Sequence, residues 1–381
     1  MKRRICVVTG TRAEYGILHP ILTTLRAEKS LQLQLVVTGM HLMKEFGRTV
    51  RHIKADGFHA DAELDISYRS DTGLAMAGSV GKAVDLFAKC FTRLRPDILV
   101  LLGDRGEMLA AAIAASYLNL PIAHIHGGEL SGHVDGRLRH AITKLSHLHF
   151  AATAGSAARL RRLGEEAWRI RICGAPALDR ILGERLPARA ELSRRYRFDA
   201  RRPLALLVQH PVAGQEARAG AHIAQTIAAL KSLGLQTLIV YPNADAGGRR
   251  MIAVIERQRH HLIQAHHSLP HKDYLGLLAV AGVLVGNSSS GIIEAPSFRL
   301  PVVNIGERQE GRERCANVID VRQNRVAIMA AVKKALHDRS FRAKLKGLRN
   351  RHGDGKAGGR IVSVLKNVKL GAPLLDKRMT Y

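Results

Sequence analysis

Apolar runs of strand length, each ending in a glycine or polar cluster and followed by helical periodicity, recur along the whole chain. That alternation admits few folds, because helices that connect successive strands make those strands parallel and bury the sheet on both faces. In the first half the runs fall at residues 5–9, 33–37, 98–102, 122–125, 149–152 and 170–173. Between them, residues 74–93, 107–117 and 138–148 carry i, i+3, i+4 apolar spacing. Around residues 174–202 the pattern degrades into sequence containing Arg, Glu and Pro, and it resumes with runs at 204–208, 237–241, 283–285 and 302–304. The expected fold class is α/β, with two Rossmann-like doubly wound domains in tandem. Sheets of this kind take ligands at the carboxyl ends of their strands, and a shared cleft is expected there. At 381 residues the chain can bury two cores of ordinary size.

The charge is unusual, with 59 Lys and Arg against 32 Asp and Glu for a net +27. Such a balance raises nucleic acid as a partner. However, the arginines are scattered through every segment and aromatic residues make up only 4%, too few for a base-stacking platform. Nucleic acid is therefore not expected, and an anionic substrate fits the same excess. No apolar run approaches the roughly 20 residues of a membrane span. The opening Met1-Lys-Arg-Arg passes straight into a short strand, without the apolar core of a signal peptide. Cys6, Cys90, Cys173 and Cys315 lie far apart with no C-x-x-C pair, which argues against zinc ribbons and disulfide frameworks. A cytoplasmic protein is expected.

Polar residues cluster where the strands end. Gly286-Asn-Ser-Ser-Ser-Gly-Ile-Ile-Glu294-Ala-Pro296 follows one apolar run and opens a segment that reads as an amphipathic helix. A small-residue loop at a helix N-terminus aims backbone N–H groups at one point, which suits a phosphate. Ser288, Ser289 and Ser290 add donors, and Glu294 is placed to accept from a ribose. An ordinary serine-capped turn is the plain alternative. After the first run, Gly10-Thr-Arg12-Ala-Glu14-Tyr15-Gly16 brings Arg12 within reach of a phosphate, with no G-x-G-x-x-G and so no basis for a dinucleotide. Gly103-Asp104-Arg105-Gly106-Glu107 follows the third run, where Asp104 is either a helix cap or a functional carboxylate.

Next come His124-Ile-His126-Gly-Gly-Glu129 and Asp135. The paired glycines bend the chain so that Glu129 turns back toward the sheet. Asp104, Glu129 and Asp135 thus come from consecutive strand ends, and such crowding separates the roles of acid and base. His124 and His126 read as buried and hydrogen-bonded rather than as metal ligands, so no metal is expected. His140, Lys144 and His147 fall at i, i+4, i+7 on one helix face. In the second half His210 stands directly at a strand end, either facing the cleft or as a loop histidine, and Asn243 ends the next strand. Arg308 and Arg314 follow the last run and are placed to close over a pyrophosphate.

Assembled, these motifs resemble the hydrolysing UDP-N-acetylglucosamine 2-epimerase family, of the bacterial sialic and legionaminic acid pathway type. The stretches that match are Gly10-Thr-Arg-Ala-Glu-Tyr, Gly103-Asp-Arg, His124-Ile-His-Gly-Gly-Glu, Arg139-His-Ala-Ile-Thr-Lys-Leu-Ser-His, Tyr241-Pro-Asn-Ala-Asp-Ala-Gly and Gly286-Asn-Ser-Ser-Ser-Gly-Ile-Ile-Glu. The resemblance implies two Rossmann-like domains of glycosyltransferase-B type. Residues 1–178 would carry the carboxylates and residues 200–360 would bind UDP, with residues 361–381 packing back on the first domain. It implies elimination of UDP from a UDP-N-acetylhexosamine and hydration of the glycal to an N-acetylmannosamine-type sugar, without a redox cofactor. Asp104, Glu129, Asp135 and His210 match its catalytic positions, with Asp104 and Glu129 as proton carriers. Arg12, Arg105, Asn243, Ser288, Ser289, Ser290, Glu294 and Arg308 match substrate-binding ones. A homo-oligomer, dimer or tetramer, is expected, through apolar residues exposed on the helix over 74–94. The rival readings are a non-hydrolysing 2-epimerase, a glycosyltransferase of the same architecture and a non-catalytic nucleotide-sugar sensor.

Overall fold

The computed structural model of the chain describes residues 2–66, 70, 72–258 and 260–381, with only the main chain of His133. The chain forms two compact units. The first comprises Met1–Leu130, Val134–Gly183 and His352–Tyr381, and the second Ser131–His133 and Glu184–Arg351.

Among the described residues, seven strands make the first sheet: β1 (Arg3–Thr9), β2 (Leu31–Thr38), β3 (Ala62–Leu64), β4 (Ile98–Leu102), β5 (Ile122–Ile125), β6 (Leu148–Ala151) and β7 (Ile170–Ile172). They are parallel, in the order β3-β2-β1-β4-β5-β6-β7. The second sheet has β8 (Leu204–Val208), β9 (Gln236–Val240), β10 (Ile263–His266), β11 (Val283–Gly286), β12 (Val302–Ile305) and β13 (Val318–Val321). Its order, β10-β9-β8-β11-β12-β13, repeats the same winding plan. Each sheet therefore reverses direction once, between β1 and β4 in the first unit and between β8 and β11 in the second. At such a point the flanking connections leave toward opposite faces, and a crevice opens beyond the strands' carboxyl ends.

The central strands form because they are apolar on both faces: β4 (Ile-Leu-Val-Leu-Leu) and β8 (Leu-Ala-Leu-Leu-Val) are buried throughout. The edge strands differ. β3, β10 and β13 are partly exposed and carry Glu63, Gln264 and Asp320, so no apolar run announces them and the sequence pattern passes over all three. On one face of the first sheet, Leu18, Ile21, Leu22 and Leu25 of the helix Arg12–Ala27 pack with Ile361 and Leu365 of the helix Ala357–Asn367. On the other, Phe87 and Phe91 of the helix Gly73–Leu94 stack with centroids 5.4 Å apart, beside the alanine-rich helix Gly106–Tyr117. In the second unit the helices Ala219–Ser232, Gly248–Glu256 and Arg325–His337 share one core.

Two local expectations are corrected. The helix read over 138–148 runs from His133 to Leu145 and yields to β6 at Leu148. His147 leaves the polar face shared by His140 and Lys144, and its Nδ1 accepts from the Ile122 N–H at 3.1 Å. The helix read after Gly286 is a single turn, Ser290–Ile293, followed by a 3-10 turn, Ala295–Phe298, because Pro296 cannot continue the α-helical ladder.

Residues beyond the Ala357–Asn367 helix also secure the first unit. Lys377 Nζ lies 2.6 Å from Glu165 and donates to the carbonyls of Lys144 (2.9 Å) and Ser146 (2.8 Å), at the C-terminal end of the helix His133–Leu145. Arg169 is buried and donates to the carbonyls of Leu374 (2.7 Å) and Asp376 (3.1 Å). Among the described residues no helix is long and apolar enough to cross a membrane.

Candidate functional site

In the first unit the loops after β1 and β4 flank the reversal point. Gly10 owes its place to space: a Cβ there would stand 2.4 Å from Glu107 Oε1. Thr11 caps the helix that begins at Arg12, and Glu14 closes a capping box, accepting from the N–H groups of Gly10 (2.8 Å) and Thr11 (2.9 Å). Burial, with the charge of Glu107 beside it, pushes the Glu14 carboxyl up to about 8. Arg12, half-buried, is the first residue of that helix. After β4, Gly103 takes a left-handed turn at φ +80°, Asp104 follows, and Arg105 Nε donates to Glu107 at 2.7 Å.

β5 ends in a built cluster. His124 is wholly buried, with Nε2 2.7 Å from the Gly103 carbonyl and Nδ1 3.2 Å from Thr143 Oγ1. Burial holds its pKa down to about 3, so it ties the β4 loop to the next helix as a neutral ring. His126 and Gly128 both adopt left-handed backbone, at φ 63° and 74°. Gly128 is required there, since a Cβ would stand 2.4 Å from the Ser156 carbonyl. The bend returns Glu129 onto His126, whose Nδ1 donates to Glu129 Oε1. Arg139 completes the cluster: its Nη1 donates to the His126 carbonyl at 2.9 Å and its Nη2 to Asp104.

Asp104, Arg139, His126 and Glu129 are thus one connected set, brought from two strand ends and a helix. Asp135 lies in the first turn of that helix, four residues before Arg139 and so on the same face. Among the described residues, no group of three or more His, Cys, Asp and Glu side chains is arranged to hold a metal ion.

In the second unit the loops after β8 and β11 flank the reversal. The Asn287 side chain brackets His210, accepting from its N–H at 2.7 Å and donating to its carbonyl at 2.9 Å. The backbone N–H of Asn243 donates to His210 Nδ1 at 3.1 Å. An accepting Nδ1 puts the ring hydrogen of neutral His210 on Nε2, which makes Nε2 a donor. The Asn243 side chain donates to Asp245. Gly286, at φ +130°, has no room for a side chain, because a Cβ would stand 2.0 Å from the Val208 carbonyl.

Ser288, Ser289 and Ser290 are half-buried, and Ser288 Oγ accepts from the Ser290 N–H at 3.3 Å. With one helical turn behind them, these serines offer hydroxyls and loop amides rather than a long helix dipole. Glu294 is buried at the end of that turn. Arg308 and Gln309 donate to the Asn287 carbonyl at 3.3 and 2.8 Å, which fastens the loop after β12 to the loop after β11. Arg314, expected near a pyrophosphate, pairs with Asp320 and donates to the Gln309 carbonyl at 2.6 Å.

Sequence reasoning overlooked Arg139, Asn287 and Gln309. Arg139 shares a helix face with Asp135 at i+4, but nothing in the sequence marks its pairing with Asp104, 35 residues away; Asn287 stood inside the glycine loop, and Gln309 only beside Arg308.

Residues 23–366 match the family described as UDP-N-acetylglucosamine 2-epimerase. The chain is 41% identical, over 100% of both sequences, to a UDP-N,N'-diacetylbacillosamine 2-epimerase (hydrolyzing) of Legionella pneumophila. It is 34% identical, over 84% of each, to a GDP/UDP-N,N'-diacetylbacillosamine 2-epimerase (hydrolyzing) of Campylobacter jejuni. The solved structure of a UDP-GlcNAc 2-epimerase from Neisseria meningitidis, bound to UDP-GlcNAc, shares its fold at a TM-score of 0.80, covering 95% of this chain and 99% of that one at 17% identity. The two parallel-sheet units are accordingly of glycosyltransferase-B type. By family match and by full-length identity, the chain belongs to the UDP-N-acetylglucosamine 2-epimerase family, as an enzyme of its hydrolysing branch.

Proposed function

We propose that the protein eliminates UDP from a UDP-N-acetylhexosamine and hydrates the glycal, giving UDP and a free N-acetylmannosamine-type sugar for nonulosonic (sialic or legionaminic) acid synthesis. The observation that carries this reading is the bonded set Asp104–Arg139–His126–Glu129. It holds two carboxyl groups and an imidazole together at adjacent strand ends, as proton removal and return at one sugar carbon require. In this reading Asp104 and Glu129 are the proton carriers and Asp135 assists hydration. His210 donates from Nε2 to the diphosphate as it leaves, where fixed donors act on developing charge. Arg12, Arg105, Asn243, Ser288, Ser289, Ser290, Glu294 and Arg308 serve the nucleotide and its phosphates. The hydrogen at carbon 2 departs as a proton, so the route needs no redox cofactor.

The names of the two hydrolysing relatives, each for a diacetylbacillosamine nucleotide, support a UDP-2,4-diacetamido-2,4,6-trideoxy sugar as the substrate, with the plain acetamido sugar as the alternative. Four buried, unbridged cysteines support a reducing, cytoplasmic setting. Exposed Leu74 and Met76 on the helix Gly73–Leu94 support a homo-oligomer.

Incubation with each UDP-sugar in deuterated water, with no acceptor present, tests the reading by NMR. The expected products are UDP and a free sugar carrying deuterium at carbon 2. A deuterated product still linked to UDP would establish the non-hydrolysing reaction instead. UDP release that requires an added acceptor would establish a glycosyltransferase.

A further inference from the structure

Glu129 does not stand alone in the first unit. Its carboxylate accepts from His126 Nδ1, and the other ring nitrogen, Nε2, is buried and has no hydrogen-bond partner among the described residues. A buried imidazole nitrogen left unpaired loses its hydration without compensation, so such an atom calls for an explanation in function. The backbone adds a second sign. His126 sits at φ 63°, a left-handed conformation rare for a residue with a full side chain, and it is held there from outside by Arg139, which donates to its carbonyl while holding Asp104. The ring is thus fixed at both ends: its Nδ1 by Glu129, its backbone by the arginine that positions the other carboxylate.

We infer that His126 Nε2 is the base that takes the proton from carbon 2 of the sugar, and that Glu129 acts through it as a positioning residue. The inference rests on the elimination proposed above and changes which atom does the work. A carboxylate facing Nδ1 makes that nitrogen the donor, which in the neutral ring leaves the lone pair on Nε2. In the elimination that lone pair takes the hydrogen of carbon 2 as a proton. The electrons of the broken C–H bond form the double bond to carbon 1, and those of the bond to the diphosphate oxygen leave with UDP. Glu129 faces the imidazolium so formed and stabilises it. The ring proton then passes to solvent. Hydration adds the oxygen of water to carbon 1, with a second acid protonating carbon 2 from the other face.

The roles separate by mutation. His126→Asn keeps a donor at the position of Nδ1, tolerates the left-handed backbone and removes the far edge of the ring, Cε1 and Nε2. His126→Gln removes the base in a different way, so the test stands even if one variant fails to fold. Both are expected to lower kcat at least about 100-fold, the scale of a lost general base, with KM changed less than about threefold. Glu129→Gln should fall comparably, and the double variant should be no worse than the worse single one, because residues acting as a unit are not additive. Folded His126→Asn or His126→Gln protein that retains kcat within about threefold of wild type overturns the assignment. So does a double variant whose loss equals the product of the single losses, since that marks independent roles. Absence of UDP release by the wild-type enzyme overturns the elimination reading itself, and the base assignment with it; release that survives His126→Asn overturns only the base assignment.

Discussion

Arg139 carries more of the site's geometry than any carboxylate does. Its guanidinium spans two acceptors, the Asp104 carboxylate and the His126 carbonyl, and is almost wholly buried. A lysine at this position keeps the charge but presents a single ammonium, which cannot reproduce a fork of fixed geometry. Arg139→Lys is therefore expected to lose about 1–3 kcal/mol of stability, measured by urea unfolding. It should also lower kcat at least about tenfold, since small misplacements of reacting groups are expensive. The carboxylates themselves were legible in the sequence, because each follows an apolar run and a glycine. Arg139 was not, since its partner Asp104 stands 35 residues away and the pairing exists only once β4 and β5 lie side by side. The left-handed turn at His126 was equally hidden, for the glycines that follow it drew attention to themselves.

Among elements, the helix His133–Leu145 matters most, because Asp135 and Arg139 both ride on it. Its last carbonyls are met by Lys377 rather than by solvent, and Lys377 is at the same time paired with the buried Glu165. Lys377→Met keeps the length of the side chain and removes the charge. Leaving Glu165 short of a partner is expected to cost about 3 kcal/mol, seen as a lower Tm, and loosening the helix should reduce kcat as well. A variant with wild-type Tm would show that Lys144 and His149 suffice for Glu165. Unbroken burial made the central strands legible, and of the edge strands only β7 was read, at 170–173. β4 and β8 announce themselves as unbroken apolar runs, whereas β3, β10 and β13 lie at sheet edges, where half-exposed strands obey no such pattern. The turn after Gly286 misled because its apolar Ile292 and Ile293 continue a helical spacing that Pro296 cuts short.

At the scale of the whole molecule, buried histidines set the response to acid. Burial holds His41 and His124 down to about 3 and His147 to about 4, against an ordinary value of 6.5, and lowers His149 too. Below about pH 6.5 the unfolded chain takes up protons that these folded rings refuse, so their stabilisation, complete above that pH, is lost as pH falls toward 3–4. Glu14 works the other way: raised to about 8 from 4.5, it contributes below 4.5 and is lost as pH rises through 8; Asp179 is raised too, but burial also lowers His52, His140, His222 and His266 beside the four histidines above. Calorimetry should accordingly find a lower Tm at about pH 5 than at about pH 7, and equal values would contradict the buried neutral rings. Two doubly wound sheets were readable from the alternation of apolar runs. That the chain crosses into the second unit and then returns was not readable from any run. That return fixes an order of events at the ribosome. Residues 352–381 are translated after all of 184–351, yet they belong to the first unit. A nascent chain thus finishes its second unit while the first still lacks the helix that covers Leu18, Leu22 and Leu25. At about 5–20 residues per second that apolar face stays open for on the order of ten seconds. The part of the molecule made first is the part completed last.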